Sequence, residues 1–328
     1  MTIPSGLRRC AVFDHMTPEQ LAQVAQCASP VRFPAGVTVL KEGDASRDAY
    51  VVQQGAVRIT RQTAYGTFEL AVLGEGQLFG ETSFVDEGAR SVDAVTERAC
   101  ELLLLNPISL AAQCAGDRRF ELALWWAFWR SLAQKLRGTN ERLSRFFSET
   151  GVPPPPTDPV PREATGSFRL QIGDKQELFT EQKLSRMEIH FLSSLSRERR
   201  LRAGDVLFRE GDAGDAMYVV VEGKVRISKQ IPGAGEEALA FMERGDWFGE
   251  MALIDNAPRS AEAVAHDGGA VVLAVPRDVV SGLLDMRKVS SLRLLRILCR
   301  LVAKRLREID DKLVGWFILA GGGGHAAD

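Results

Sequence analysis

FGEMALIDNAPRSAEAV, residues 248–264, places Gly249-Glu250 nine residues ahead of Arg259-Ser260, with a small-residue turn between them. The same spacing recurs without a gap in FGETSFVDEGARSVDAV, residues 79–95, where Gly80-Glu81 precede Arg90-Ser91. Working outward, VRFPAGVTVLKEGDASRDAYVVQQGAVRIT (31–60) matches RRLRAGDVLFREGDAGDAMYVVVEGKVRIS (199–228), with Gly36, Gly43, Tyr50 and Gly55 aligned to Gly204, Gly211, Tyr218 and Gly223. Two copies at an offset of 168, becoming 169 at the motif, make a duplication rather than a solenoid array.

Within each copy, short runs rich in β-branched and aliphatic residues are punctuated by glycine turns: AYVVQQGAVRIT, FELAVLGEGQ and ARSVDAVTERACELLLL in the first, MYVVVEGKVRIS, EALAFMERGD and RSAEAVAHDGGAVVLAV in the second. Closely spaced strands of this kind predict a small jelly-roll or β-roll. Helical patterns flank each roll. TPEQLAQVAQCA (17–28) opens with a Thr cap and a first-turn Pro, and SRMEIHFLSSL is its weaker counterpart. Long helical stretches follow both rolls, from RRFELALWWAFW in copy one and SSLRLLRILCRLV in copy two. The expected class is α+β, two tandem rolls each closed by a long C-terminal helix.

GVPPPPTDPVPRE (151–163) cannot continue a helix, because consecutive prolines lack amide donors and favour extended polyproline II. The predicted division is therefore 1–150 for the first domain, 151–166 for the linker, 167–320 for the second domain and 321–328 for a glycine-rich tail.

Composition narrows the function. A net charge of -2 over 328 residues gives no basic footprint for coating nucleic acid. Five cysteines, far apart and without CxxC, indicate neither a disulfide framework nor a zinc site and fit a reducing cytosol. No apolar stretch reaches the roughly 20 residues of a membrane span. Four scattered histidines and the absence of a kinase motif, a Ser-His-Asp order or metal-ligand spacing argue against an enzyme with a resident cofactor.

The repeated motif suits a ligand with one anionic phosphate and a neighbouring sugar hydroxyl. Arginine pairs with phosphate through its planar fork, a carboxylate accepts from a hydroxyl, and the two must stand at opposite ends of the segment. Glycine before Glu lets backbone approach the ligand, and tight-turn amides add donors. At these residues the sequence resembles the cyclic-nucleotide-binding domain family and its phosphate-binding cassette. That resemblance implies that Glu81 and Glu250 accept the ribose 2′-hydroxyl, that Arg90 and Arg259 pair with the cyclic phosphate, and that Gly80, Gly249, Ser91 and Ser260 complete the cradle. Ser83, Phe84 and Val92 depart from the family pattern in the first copy.

By the same resemblance, Ile59 and Leu70, with Ile227 and Leu239, would contact the purine, and Thr139 and Asn140 in LAQKLRGTNERL would reach the adenine of the first site. Ile309-Asp310 stand at the equivalent place in copy two. Serine rather than threonine after each cassette arginine favours cAMP over cGMP, with cyclic dinucleotides a further option.

The stripe Leu122, Trp125, Trp129, Leu132, Leu136 and Leu143 fits packing within its own domain, homodimerisation along the 118–148 helix, or contact with the second domain. No DNA-reading module is expected after either long helix. The tandem order is similar to that of protein kinase A regulatory subunits, and Arg8-Arg9-Cys10-Ala11-Val12 has the outline of an inhibitory pseudosubstrate, although it abuts the first domain's own helix. The expected function is a cytosolic, non-enzymatic sensor that acts on a separate effector protein; the alternative is an oligomeric scaffold with vestigial pockets.

Overall fold

The computed structural model describes residues 3–150, 162–163, 170–231, 235–284 and 292–320. The chain divides into two compact units, Met1–Thr139 with Val302–Asp328, and Asn140–Leu301. This grouping is not linear. The long helix Arg118–Thr150 passes from the first unit into the second at Asn140, and the last helix, Leu292–Leu319, returns its residues from Val302 onward to the first. The proline run and the glycine tail named above lie outside the described residues.

In the first unit the strands form two four-stranded antiparallel sheets. One runs in the order 28–33, 100–105, 49–54, 78–79, and the other 38–40, 93–96, 57–63, 66–73. Ala28↔Leu105 to Phe33↔Cys100 set the register of the outer pair. Leu40, Tyr50, Val52, Val57, Phe79, Ala94 and Leu102 fill the space inside the roll, where each fully buried aliphatic or aromatic side chain contributes about 1.5–3 kcal/mol.

The second unit builds its roll from longer strands. Ala216–Ile231 and Glu262–Pro276 pair from Ala216↔Pro276 to Ser228↔Glu262, with bulges that let each strand bend. Its inward residues include Tyr218, Val220, Val225, Phe248, Ala263 and Val272.

The flanking helices begin where their caps dictate. Thr17 forms a capping box with Gln20 at the start of Pro18–Gln26, and Ser185 does so with Glu188 at the start of Arg186–Leu195. Asp117 accepts from the backbone amides of Arg119 and Phe120 at the head of the long helix. Leu122, Trp125, Trp129, Leu132, Leu136 and Leu143 are all buried within the single chain, so the stripe needs no second molecule to cover it. The Arg8–Val12 stretch is folded rather than extended: Ser5–Arg9 is helical, Cys10 and Val12 are buried, and Arg9 pairs with Glu75 at 2.8 Å.

Candidate functional site

Each cassette follows a two-residue strand ending in Phe, 78–79 in the first unit and 247–248 in the second, and in the first unit the next strand, 93–96, belongs to the other sheet. In the first unit it is a left-handed Gly80 followed by the helix Glu81–Asp86, and in the second Gly249 and Glu250 followed by Met251–Asp255. Both glycines are required. Gly80 has φ of 82°, and a Cβ there would lie 2.7 Å from the Asp48 carbonyl oxygen; Gly249 has φ of 75°, and its Cβ would lie 2.8 Å from Nη1 of Arg259. Left-handed Glu87 and Asn256 end the two cassette helices.

The arginines are pinned by the same backbone bonds in both units. Arg90 N–H donates to the Asp44 carbonyl at 2.8 Å and its own carbonyl accepts from Gly43 at 2.9 Å; Arg259 repeats this with Asp212 and Gly211 at 2.8 and 2.9 Å. Both side chains point inward, with Arg90 4% and Arg259 3% exposed. Arg90 donates from Nη1 to the Gly80 carbonyl at 2.7 Å, from Nη2 to the Asp48 carbonyl at 2.6 Å and from Nε to Ser46 Oγ at 3.1 Å. These acceptors are neutral, and three bonds leave two of the guanidinium's five N–H groups to spare. Arg259 donates from Nη1 to the Gly249 carbonyl at 2.6 Å and from Nη2 to the Ala216 carbonyl at 2.7 Å, with Asp215 Oδ1 at 3.3 Å; its guanidinium lies 4.2 Å from the Phe208 ring centroid. Burial pushes both guanidinium pKa values down, because desolvation disfavours the charged form. An anion in either cradle offsets that penalty.

Glu81 and Glu250 are fully buried. Glu81 Oε1 accepts from Ser131 Oγ at 2.7 Å and from Lys135 Nζ, both on the long helix, while Oε2 is buried without a hydrogen-bond partner. Ser91 and Ser260 are half-buried at the far end of each cassette, where Ser260 Oγ lies 3.8 Å from Met251 Sδ. Ile59 and Ile227 pack against the cores of their rolls, whereas Leu70 and Leu239, at the neighbouring bulges, are buried outside those clusters.

The last helix supplies groups that sequence reasoning did not select. Arg307 clamps the first cassette helix, donating from Nε to Asp86 Oδ2 at 2.6 Å and from Nη2 to Asp86 Oδ1 at 3.1 Å and Ser83 Oγ at 3.4 Å. Asp310 accepts from Thr139 Oγ1 at 3.4 Å, and Phe317 stacks on Phe68 with centroids 4.6 Å apart. Thr139 thus meets the last helix inside the first unit, whereas Asn140, buried beside it in the chain, belongs to the second. Two departures from the family pattern also find partners: Phe84 packs edge-on against Phe128 at 5.1 Å, and Ser83 donates to the Ala89 carbonyl at 3.4 Å. Lys135 and Ser131 were legible only as an i, i+4 polar pair on an otherwise apolar stripe, and nothing local announced Arg307. Among the described residues no group of three or more metal-ligating side chains occurs, and no helix is long and apolar enough to cross a membrane.

The family profile of the cyclic nucleotide-binding domain matches residues 30–117 and 198–287. A cAMP-dependent protein kinase regulatory subunit of Mycosarcoma maydis is 24% identical over 77% of this chain and 42% of its own length. A cGMP-dependent protein kinase of Drosophila melanogaster is 24% identical over 81% of this chain and 20% of its own length. The chain therefore spans less than half of either relative. Among solved structures, the regulatory domain of Toxoplasma gondii PKA with cAMP is 20% identical, covering 89% of this chain and 93% of that one, at a TM-score of 0.32.

Proposed function

The chain belongs to the cyclic nucleotide-binding domain family, and from that premise we propose that it is a non-enzymatic sensor whose two cassettes take a cyclic nucleotide and whose helices pass the event to a partner protein. The observation that carries this reading is the pair of buried arginines, each fixed by identical backbone bonds and satisfied mainly by neutral carbonyls. A buried guanidinium without a full counter-charge costs several kcal/mol, and a phosphodiester supplies both the charge and the fork-matched oxygens. The unpartnered Oε2 of Glu81 is an acceptor for a sugar hydroxyl.

Serine after each arginine favours cAMP, and the kinase regulatory subunit among the relatives supports a protein kinase as the class of partner in a cytosolic setting. Transmission in the first unit runs through Arg307: nucleotide in the cradle shifts the cassette helix, and with it Asp86, to which Arg307 is fixed by two hydrogen bonds. A ligand moves this equilibrium only by its different affinity for the two positions.

Lys135 and Ser131 on Glu81 favour a second reading for the first cassette alone, a structural pocket closed by the protein's own amine. Calorimetric titration of the whole chain with cAMP, cGMP and a cyclic diguanylate separates the readings. Two saturable cAMP events support two working sites, one event that survives Arg90→Ala assigns the first cassette to structure, and heat from none of the three ligands rejects the sensor.

A further inference from the structure

We infer that the helix Arg186–Leu195 and the strand Arg197–Leu201 of the second unit form a docking surface for an acidic amphipathic protein segment. The inference goes beyond nucleotide sensing and does not depend on it. Met187, Phe191 and Leu195 recur at i, i+4 and i+8 on the helix and are 55%, 44% and 44% exposed. That spacing makes one apolar stripe about 12 Å long, while Leu192 beside it and Ser193 on the far side are buried in the fold. Through Ser196 the chain passes straight into a strand that presents exposed Arg197 and Arg199, followed by exposed Arg202.

Charge identifies the occupant. Residues 183–202 carry six Lys and Arg against two Glu, a net of +4 in a chain whose total is -2. Both glutamates are turned to structural work: Glu188 is fully buried on the Ser185 cap and the Leu294 amide, and Glu198 pairs with Lys175 at 2.7 Å. The exposed charge of the segment is all positive. In the first copy the equivalent stretch, residues 15–34, carries one Arg and one Glu, and the stripe positions are Glu19, Gln23 and Cys27. The stripe and its basic flank thus occur together on the second copy and not on the first.

An apolar stripe with a basic flank fits an amphipathic helix that lays its apolar residues on the stripe and its carboxylates toward the arginines. The stripe side chains are half-covered rather than protruding, which suits side-chain packing against protein better than insertion between lipids.

The test uses the full chain and a fluorescein-labelled 16-residue helical peptide with leucines at i, i+3 and i+4 positions and glutamates elsewhere. Saturable anisotropy is expected, weakening at least tenfold in Met187→Ser/Phe191→Ser/Leu195→Ser and in Arg197→Gln/Arg199→Gln/Arg202→Gln, and falling with salt for the wild type. Circular dichroism and denaturant unfolding of each variant report that its fold is intact, and the salt series on the unmodified chain stands even where a variant fails to fold. The inference is overturned by no peptide binding, by equal binding of the peptide with lysines for glutamates, by binding to phosphatidylserine vesicles instead of the peptide, or by self-association that the stripe variant abolishes. Peptide binding in a chain that takes no nucleotide separates failure of the sensor reading from failure of this one.

Discussion

Arg90 and Arg259 stand in matching backbone frames, yet the atoms around their Nε differ. Ser46 accepts from Nε of Arg90, but the aligned residue in the second unit is Gly214, and Nε of Arg259 is buried without a hydrogen-bond partner. Glycine is required there because a Cβ would come 2.3 Å from that of Ala252. The next position exchanges Arg47 for Asp215, which reaches Arg259 at 3.3 Å while remaining 77% exposed at its side chain. Leu40 is exchanged for Phe208, on which Arg259 stacks. Duplication has thus kept the backbone that aims each guanidinium and let its side-chain surroundings drift. The second cradle holds its arginine by an aromatic face and a solvated carboxylate, the first by an extra hydrogen bond to a neutral hydroxyl.

The largest effect expected from breaking this comparison is at the carboxylate end. Lys135→Met leaves Glu81 fully buried with Ser131 as its remaining partner, and removing one member of a buried ion pair costs about 3 kcal/mol. Denaturant unfolding should show that loss, and an unchanged midpoint would mean that the pair does not hold the first cassette together. Next comes Arg259→Ala, expected to weaken cAMP at the second site by at least about 2 kcal/mol, roughly thirtyfold, while leaving the first site unchanged. Calorimetry that finds the second dissociation constant unmoved removes this residue from the cradle. Ser46→Ala recreates in the first unit the unpartnered Nε of the second. A hydrogen bond from a charged guanidinium to an exposed serine hydroxyl contributes about 1 kcal/mol, less than the about 1.5–3 kcal/mol of a buried charge-assisted bond because water can replace the hydroxyl, so the midpoint should fall slightly, and a larger fall would show that Ser46 does more than satisfy Arg90.

Much of this was readable from residues alone because it is local. Gly80, Glu81, Arg90 and their second set announce the cassettes through spacing, and Thr17-Pro18 marks a helix start through capping chemistry that acts over one turn. What escaped is long-range. Arg307 lies 221 positions from Asp86, and only the return of the last helix to the first unit brings them together. Thr139 stands on the long helix where its hydroxyl meets Asp310 of the last helix, 171 positions away, a partner that the local stretch LAQKLRGTNERL does not name. The difference at Nε was present in the aligned pair Ser46 and Gly214, but its meaning needs the 3.1 Å bond and the Ala252 methyl to be seen.

A last contrast separates the units by pH. His15 is mostly buried beside Trp126, with Nε2 2.9 Å from the Ala123 carbonyl, and the aligned residue of the second unit is exposed Lys183. Nε2 must carry the proton to donate there. Burial lowers the His15 pKa, opposed in part by the Ala123 carbonyl, so the folded chain resists a second proton that the unfolded chain accepts near pH 6.5. A depressed histidine pKa contributes fully above the unfolded value; as pH falls through about 6.5 the unfolded state takes up the proton first and stability declines until the folded pKa is reached. Unfolding midpoints followed from pH 7.5 to 5 should therefore slope downward in acid, by at most about 1.4 kcal/mol per pH unit from this group. His15→Gln, which keeps an N–H for Ala123 and cannot titrate, should flatten the slope, whereas Lys183→Gln should leave it unaltered. Parallel slopes in all three proteins would place the acid sensitivity elsewhere and strip the first unit of this distinction from its copy.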